Sequence, residues 1–306
     1  MLAKRNANLK FRLRKYSGLF LMLVPGLAWF FIFRYVPMYG IIIAFKKFYP
    51  LRGILDSPWV GIANFTRMLN TDLFIRAFVN TIVLSLLRLF ISFPSVIVFA
   101  LLLNELKNGR FKRNVQTISY LPHFVSWVVI GGVVRELLSA DTGVVNWFIT
   151  LLGGEQINFM IRPQYFRGIL VIASLWKGVG WGSIVYLAAI SGIDPQLYEA
   201  AQMDGANRLQ RVLRITLPSI YPIIVILFIL RVGHMMEAGF DQVFNLYNPL
   251  VYSVADIIDT YAYRVGLENF DYSYATAIGL FKNVVGVILL LLTNVLSKKI
   301  GDEGVW

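Results

Sequence analysis

The sequence has no cysteine, only two histidines, and few charged residues for its length of 306. Without cysteine, disulfides and thiolate metal sites are excluded, although this absence says nothing about the cellular compartment. His123 and His234 cannot form an H-E-x-x-H zinc helix, and no pattern supports a nucleophile paired with a base. No lysine precedes serine or threonine, which excludes a G-x4-G-K-S/T phosphate-binding loop. We therefore predict that the chain is not itself an ATPase and binds no cofactor or metal.

Apolar residues dominate instead. They make up 57% of the chain, charged residues only 15%, and the mean hydropathy is +0.64. This composition is typical of an integral membrane protein. The net charge of +12 could indicate nucleic acid binding, but the lysines and arginines lie mainly at the ends of apolar runs. Membrane orientation explains that placement better.

Six apolar runs are about as long as the 20 residues that cross a hydrocarbon layer, which predicts an all-α protein with six transmembrane helices. The runs are Gly18 to Phe33, Leu73 to Leu103, Val115 to Leu138, Phe166 to Ile190, Leu217 to Gly239, and Tyr274 to Leu296. The basic residues before the first run are typical of a signal peptide, but no clear cleavage site follows, so we expect a retained anchor.

The charge pattern sets the predicted topology. With the N-terminus inside, the inner segments carry far more lysine and arginine than the outer ones, so both termini are expected in the cytoplasm. This divides the chain into a basic N-terminus (1–17), a first helix with an external loop (18–72), a core domain with five transmembrane helices (73–297) and a cytoplasmic C-terminus (298–306). The core includes a cytoplasmic segment at 193–218.

That cytoplasmic segment carries local signals for two short helices. Asp194 is placed to cap a helix that begins at Pro195, and Gly205 is placed to end it in the left-handed conformation. Asn207 then caps a second helix, with Gln210 in the capping-box position. The segment is too charged to enter lipid, so we expect it to lie on the membrane surface.

The same segment contains the pattern E-A-A-x3-G-x9-I-x-L-P, from Glu199 through Gly205 to Pro218. It resembles the signature of bacterial ABC importer permeases at every fixed position. The resemblance implies a type I importer permease fold, in which the first short helix couples the subunit to a cytoplasmic ATPase. The residues assigned to coupling on this basis are Tyr198, Glu199, Ala200, Ala201, Asp204, Gly205, Ile215, Leu217 and Pro218.

A simpler interpretation is a surface helical hairpin with alanines chosen for helix propensity. The small pair Ala200 and Ala201 beside Glu199 favours a close protein partner instead. A basic face formed by Arg208, Arg211 and Arg214 suits lipid phosphates or acidic protein.

Further stretches are similar to the polysaccharide-type branch of carbohydrate-uptake permeases, which includes alginate importers. They are Tyr35 to Phe45, Ser57 to Phe65, Gln116 to Trp127, Trp176 to Tyr186, and Asp259 to Tyr263. The resemblance implies a bacterial inner-membrane complex with a second permease subunit, two ATPases that hold ATP and Mg, an external solute-binding protein, and a carbohydrate substrate.

Charged residues at membrane depth are costly and usually face a cavity or a partner. We predict that Arg88 and Lys177, with Arg231, line the pathway for acidic sugars, and that Arg231, His234 and Glu237 share one helix face. Structural ion pairs or snorkelling are the alternative. The aromatic residues Trp176, Trp181, Tyr186, Tyr261 and Tyr263 are candidates for stacking on sugars, although interfacial belts use the same residue types.

Three smaller expectations concern helix shape. Pro25, Pro94 and Pro122 are expected to kink helices, and Gly178 with Gly182 forms a small-xxx-small pair for close helix contact. In the outer segment Leu246 to Tyr274, Ser253 and Asp256 are spaced as a capping box for a short helix.

Two other classes of function stay open at this point. A secondary transporter would need an ion-coupling site and no ATPase. A membrane scaffold or receptor would bind a cytoplasmic partner without solute flux.

Overall fold

The structure is a computed structural model that describes residues 15–106 and 109–301. Its regular secondary structure in these ranges is helical, with only the isolated β-bridges Lys46–Trp59 and Tyr49–Gly53 besides. This confirms the all-α prediction. Most of the basic N-terminus and the end of the C-terminal segment, residues 302–306, lie outside the described residues, as does Lys107.

The helices are numbered in chain order. They are α1 (Ser17–Phe45), α2 (Ala63–Leu69), α3 (Asp72–Glu105), α4 (Arg110–Phe124), α5 (Trp127–Leu137), α6 (Val144–Leu151), α7 (Pro163–Ser191), α8 (Pro195–Met203), α9 (Arg208–Gly233), α10 (Phe240–Leu246), α11 (Tyr252–Ala255), α12 (Ile258–Tyr263) and α13 (Tyr272–Gly301). Several are not uniform: α3 contains a π-helical turn at Arg88–Ser92, and α9 contains one at Val212–Thr216.

Five of the six predicted spans are continuous helices that are long and apolar enough to cross a membrane: α1, α3, α7, α9 and α13. The third predicted run, Val115 to Leu138, is instead divided into α4 and α5, which are bent by 107° to one another. Val125 is extended at the break, and the Ser126 hydroxyl accepts from the Val129 N–H at 3.4 Å to begin α5. Proline near the end of α4, at Pro122, disfavours a continuous helix here.

Residues 15–67 and 265–280 form one of two compact units. In this unit none of the residues in the apolar window of α1 is buried. The loop after α1 is tied down locally, since the Phe48 N–H donates to Ser273 Oγ at 2.8 Å and Arg67 pairs with Asp271 at 2.6 Å. Apolar side chains left so exposed on a spanning helix are suited to lipid or to another chain.

Residues 68–264 and 281–301 form the second unit, whose packing centres on α7. A buried cluster there includes Leu84, Phe166, Leu170 and Val243. Helix α4 approaches α7 so closely at Gly180 that a Cβ would overlap the Ser119 carbonyl. Position 180 of α7 therefore requires glycine, because the backbone of α4 leaves no space for a side chain.

The predicted glycine pair is only half correct. A Cβ at Gly182 would lie 3.0 Å from Val96 of α3, so this glycine does allow a close approach. Gly178 has nothing within 4 Å of where its Cβ would be, because the backbone contact with α4 falls one half-turn later in α7.

Helix α9 ends at Gly233, so the predicted shared face of Arg231, His234 and Glu237 is wrong. His234 and Glu237 lie in the turn and loop that follow. The loop carbonyls are satisfied from α3 instead of by further helical bonds: Ser85 Oγ donates to Met235 O, and Arg88 donates to Ala238 O, both at 2.5 Å. Because side chains of α3 satisfy these backbone carbonyls, the segment does not need helical hydrogen bonds after Gly233.

The outer segment does fold into short helices, α11 and α12, but Ser253 and Asp256 are not a capping box. Ser253 lies inside α11, and the Asp256 carboxylate accepts from Arg264 at 2.8 and 2.5 Å and from the Thr260 hydroxyl at 2.7 Å. A charge-assisted bidentate pair with Arg264 is stronger than a cap to a backbone N–H, which explains the difference.

Candidate translocation cavity and coupling hairpin

The segment that joins α7 to the apolar part of α9 is a helical hairpin, here called the coupling hairpin (residues 193–218), whose two arms are α8 and the start of α9. Its first helix, α8, begins as predicted, with Asp194 Oδ1 accepting from the Gln196 N–H at 2.9 Å. Its second helix begins with a reciprocal capping box, in which Asn207 and Gln210 exchange hydrogen bonds of 2.8 and 2.9 Å. Both helix starts are thus fixed by residues within the hairpin.

The corner of the hairpin depends on Gly205, whose φ is +80°. The Gly205 N–H donates to Gln202 O at 3.1 Å and the Ala206 N–H donates to Ala201 O at 2.9 Å. This pair of bonds is a Schellman motif, which favours glycine because a Cβ strains the left-handed conformation. The corner therefore has one defined geometry.

A tether that the sequence did not reveal joins the two arms of the hairpin. The Tyr198 hydroxyl lies 2.9 Å from Thr216 Oγ1, and Thr216 is only 1% exposed. Glu199, Ala200, Asp204, Gly205 and Pro218 are exposed, while Ala201, Ile215 and Leu217 are half-buried. Met203, at the end of α8, is 88% exposed. The hairpin thus presents a rigid arm with a free polar and apolar surface.

A cavity of about 410 Å³ lies within the second unit, with a wall contributed by α3, α5, α7 and α9. Three of the predicted pathway residues line it: Arg88, Tyr186 and Arg231. The other lining residues are Ser92, Phe93, Val96, Trp127, Ser174, Leu175, Gly178, Val179, Gly182, Val185, Leu227, Gly239 and Gln242. This set, within the described ranges, contains two arginines and no acidic residue, which makes the cavity positively charged.

The remaining predicted pathway residues lie outside the lining set just given. Trp176 and Trp181 are 48% and 44% exposed, and His234 and Glu237 lie in the loop after α9. The Trp181 indole stacks on the His123 ring with centroids 4.5 Å apart. The Lys177 ammonium faces carbonyls at the α4–α5 break, as described below.

Arg88 is 6% exposed, and its terminal nitrogens are already engaged. One donates to Ala238 O and the other to Gln242 Oε1, each at 2.5 Å, while Gln242 Nε2 donates to Leu170 O at 2.6 Å. Only its Nε is left without a hydrogen-bond partner among the described residues. Gly239, at φ +81°, accommodates this arrangement, since a Cβ would lie 2.9 Å from an Arg88 nitrogen. Arg88 therefore holds a loop that forms part of the cavity wall.

Arg231 contributes a second positive charge from α9. It is exposed, and it makes no hydrogen bond or ion pair with residues 15–106 and 109–301. Because Arg88 is committed to the loop, Arg231 is the cavity cation with its guanidinium available to a ligand. An arginine fork of this kind suits a carboxylate.

Lys177 lies where the third span breaks. Its ammonium donates to His123 O at 2.8 Å, to Pro122 O at 3.2 Å and to Val125 O. It also lies 5.5 Å from the centroid of the Trp127 ring, which the sequence did not single out as a site residue. The available signal was Ser126, an N-cap residue shortly after Pro122, which places Trp127 at the start of a new helix.

The segment from α10 to α12 is held in place by buried polar contacts. Asn80 donates to the Ser253 and Asp256 carbonyls at 3.2 and 3.0 Å. Burial opposes the charge of Arg264, but its hydrogen bonds and attraction to Asp256 more than offset this and raise its pKa. For Tyr247 the charged form is the deprotonated one, so burial raises its pKa, to about 12. Neutral Tyr247 and charged Arg264 are thus built into this segment.

These features define a multi-pass helical membrane permease with a capped hairpin between two spans. The chain belongs to the family described as "Binding-protein-dependent transport system inner membrane component", whose profile matches residues 38–302. The predicted type I ABC importer permease fold is confirmed; the side of the membrane on which the termini lie stays a prediction.

Several similar proteins are named for the transport of polysaccharides. The chain is 46% identical, over 99% of its length and 94% of the relative, to the polygalacturonan/rhamnogalacturonan transport system permease protein YteP of Bacillus subtilis (strain 168). It is 45% identical to protein LplB of the same organism, with 96% and 92% covered. A crystal structure of a bacterial ABC transporter involved in the import of the acidic polysaccharide alginate contains a chain that is 43% identical, with a TM-score of 0.90 and 96% and 99% covered.

A second structure is similar to the same extent. It is a bacterial alginate ABC transporter in complex with an alginate pentasaccharide-bound periplasmic protein, with a TM-score of 0.89, 42% identity, and 96% and 98% covered. The resemblance to the polysaccharide-type branch of carbohydrate-uptake permeases is therefore confirmed.

Proposed function

We propose that this chain is one of two permease subunits of an ATP-driven importer of acidic oligosaccharides in a bacterial cytoplasmic membrane. The observation that carries the proposal is the cavity bounded by α3, α5, α7 and α9, which has two arginines and no acidic residue in its described lining. Polygalacturonan and alginate, for which two of the similar proteins are named, are both polymers of uronic acids. Their carboxylates are the ligands that arginine binds best.

The two arginines have different tasks. Arg88 holds the loop at Ala238 and Gln242 and so fixes that part of the cavity wall. Arg231 lines the cavity, and its guanidinium makes no hydrogen bond or ion pair with the described residues. We therefore assign it the contact with a substrate carboxylate. A fixed positive wall would attract an anionic oligosaccharide, while a single available arginine would let it leave again.

The coupling hairpin transmits motion from the ATPases to the spans. A rigid element transmits a displacement that a flexible loop would absorb. This hairpin is fixed by two caps, a glycine corner and the Tyr198–Thr216 contact. ATP and Mg are bound by the two partner ATPases. Their closing and opening would move α7 and α9, which flank the hairpin, and so alternate the access to the cavity between the two sides.

The assembled importer would further contain a second, non-identical permease and an external solute-binding protein that delivers the oligosaccharide. The alginate transporter that was crystallised with a sugar-bound periplasmic protein supports this arrangement. We place both termini and the hairpin in the cytoplasm, on the strength of the basic residues that flank the apolar runs.

The test is transport by the intact complex. The chain is purified with its natural partner subunits and reconstituted in vesicles, and uptake of oligogalacturonate and alginate oligosaccharides is measured. We expect uptake to need ATP and the solute-binding protein, and to fall at least tenfold in Arg231→Ala. Uptake driven by a proton or sodium gradient alone, or a complex without any nucleotide-binding subunit, would refute the proposal.

The coupling role has its own variant. Glu199 is exposed on α8, so Glu199→Lys reverses a surface charge without disturbing the caps of the hairpin. We expect it to lower uptake while the subunit still inserts and assembles with the second permease. The matched control is Gln202→Lys, which adds a positive charge elsewhere on the same short helix. Normal uptake by Glu199→Lys would contradict the assignment.

A further inference from the structure

We propose that Lys177 is a positioning residue: its ammonium fixes the break between α4 and α5, and thereby holds Trp127 as the aromatic surface on which a sugar ring stacks inside the cavity. The inference rests on the proposed function of the cavity and adds one specific contact to it. It also replaces the role of Lys177 as a charge lining the pathway.

The ammonium group is fully occupied by the protein. Lys177 Nζ donates to the carbonyls of Pro122, His123 and Val125, which are at the end of α4 and just beyond it. Carbonyls in the last turn of a helix lack the regular helical partner and carry the negative partial charge of the helix. Of the three, only Pro122 O also accepts a backbone hydrogen bond from a described residue, from the Val125 N–H at 3.2 Å. A lysine has three N–H donors, so three such carbonyls use all of them. Lys177 therefore acts on the backbone at the break.

Trp127 is the residue through which this arrangement reaches the cavity. It is the first residue of α5, directly after the cap at Ser126, and its ring lies 5.5 Å from Lys177 Nζ. Attraction between an ammonium and an aromatic face favours this ring orientation. The same Trp127 lines the cavity together with Tyr186 and Arg231. A sugar can therefore meet an indole face and a guanidinium within one chamber.

The geometry makes the coupling between the two residues strong. Because α4 and α5 are bent by 107° at Val125 and Ser126, a small change at the break turns the start of α5, which carries Trp127. If the ammonium is removed, the carbonyls of His123 and Val125 lose this donor, the Pro122 carbonyl keeps only the Val125 N–H at 3.2 Å within the described ranges, and Trp127 loses its cation. Lys177 and Trp127 should thus behave as one unit.

The experiment is a double-mutant cycle on the intact importer with its partner subunits, measuring the half-saturating concentration of oligogalacturonate in vesicle uptake. We expect about a tenfold rise for Trp127→Ala, about tenfold for Lys177→Met, and still about tenfold for the double variant. Lys177→Arg, which keeps a cation with several donors, should stay within about threefold of the unaltered importer. Trp147→Ala, which removes an exposed tryptophan of α6 outside the cavity lining, is the matched control and should change little.

Independent effects would multiply to about a hundredfold in the double variant and would overturn the proposal. So would an unchanged half-saturating concentration in Lys177→Met. If Lys177→Met does not assemble, Lys177→Gln and Lys177→Arg complete the same cycle with Trp127→Ala. Uptake by the unaltered importer is measured first, because its absence refutes the proposed substrate class, whereas normal uptake by Lys177→Met or Lys177→Gln refutes only the role of Lys177.

Discussion

Replacing Gly205 with alanine isolates the backbone requirement of the coupling hairpin. Gly205 has φ +80°, and nothing lies within 4 Å of the position that a Cβ would occupy. The substitution therefore causes no clash, and its effect comes from the left-handed conformation alone. That conformation costs an L-residue about 1–2 kcal/mol. Alanine also restricts the unfolded chain, which offsets about 0.4–1 kcal/mol. The net expectation is a loss of roughly 1 kcal/mol in the local stability of the hairpin.

A change of this size is measurable by hydrogen exchange. About 1.4 kcal/mol corresponds to a factor of ten. In the purified complex of Gly205→Ala, we therefore expect the backbone amides at positions 205 and 206 to exchange about fivefold faster than in the unaltered protein. Gly205→Asn is the matched control, because asparagine tolerates the left-handed conformation better, and it should show a smaller change. We also expect less sugar transported per ATP hydrolysed in Gly205→Ala than in Gly205→Asn. Equal exchange rates in the two variants would show that backbone strain at the corner is not what fixes the hairpin.

Three further outcomes follow from other contacts. Tyr198→Phe leaves the buried Thr216 hydroxyl without this partner and should destabilise the hairpin by about 1 kcal/mol, measured by hydrogen exchange. Adding Thr216→Val should recover most of that loss. Additive losses in the double variant would rule out the contact. Gln242→Leu removes an acceptor from the buried Arg88 and should lower the stability of the purified complex by about 1–3 kcal/mol in thermal unfolding, and an unchanged midpoint would contradict that role. The raised pKa of Tyr247, about 12, means that the folded protein keeps this proton after the unfolded chain has lost it; stability should therefore fall as pH rises from about 10 to 12, and Tyr247→Phe should reduce that fall in a pH series of unfolding midpoints.

Local chemistry explains which predictions from the sequence are accurate. The cap at Asp194, the corner at Gly205 and the capping box at Asn207 involve residues two to five apart, and each is present in the structure. Such signals depend only on nearby backbone groups, so a sequence carries them in full. Five continuous spans are predictable for a similar reason, since bilayer thickness sets their length.

The errors concern interactions between distant residues. Average hydropathy does not detect the break at Val125, because the strongly apolar α5 that follows it raises the mean for the whole run. The end of α9 at Gly233 depends on donors from α3, some 150 residues away in sequence. In the same way, the sequence suggests that Arg88 is charged and buried, but its partners Ala238 and Gln242 become visible only in the folded chain.

The first helix has a consequence for the life of the protein in the cell. The apolar window of α1 buries nothing against the rest of its unit, so its fit depends on what surrounds the subunit. Binding of a partner chain to such a face stabilises the bound form in proportion to how much partner is present. A copy without its partner would then expose α1 to lipid, so the stability of the subunit in the membrane would depend on how much partner the cell makes.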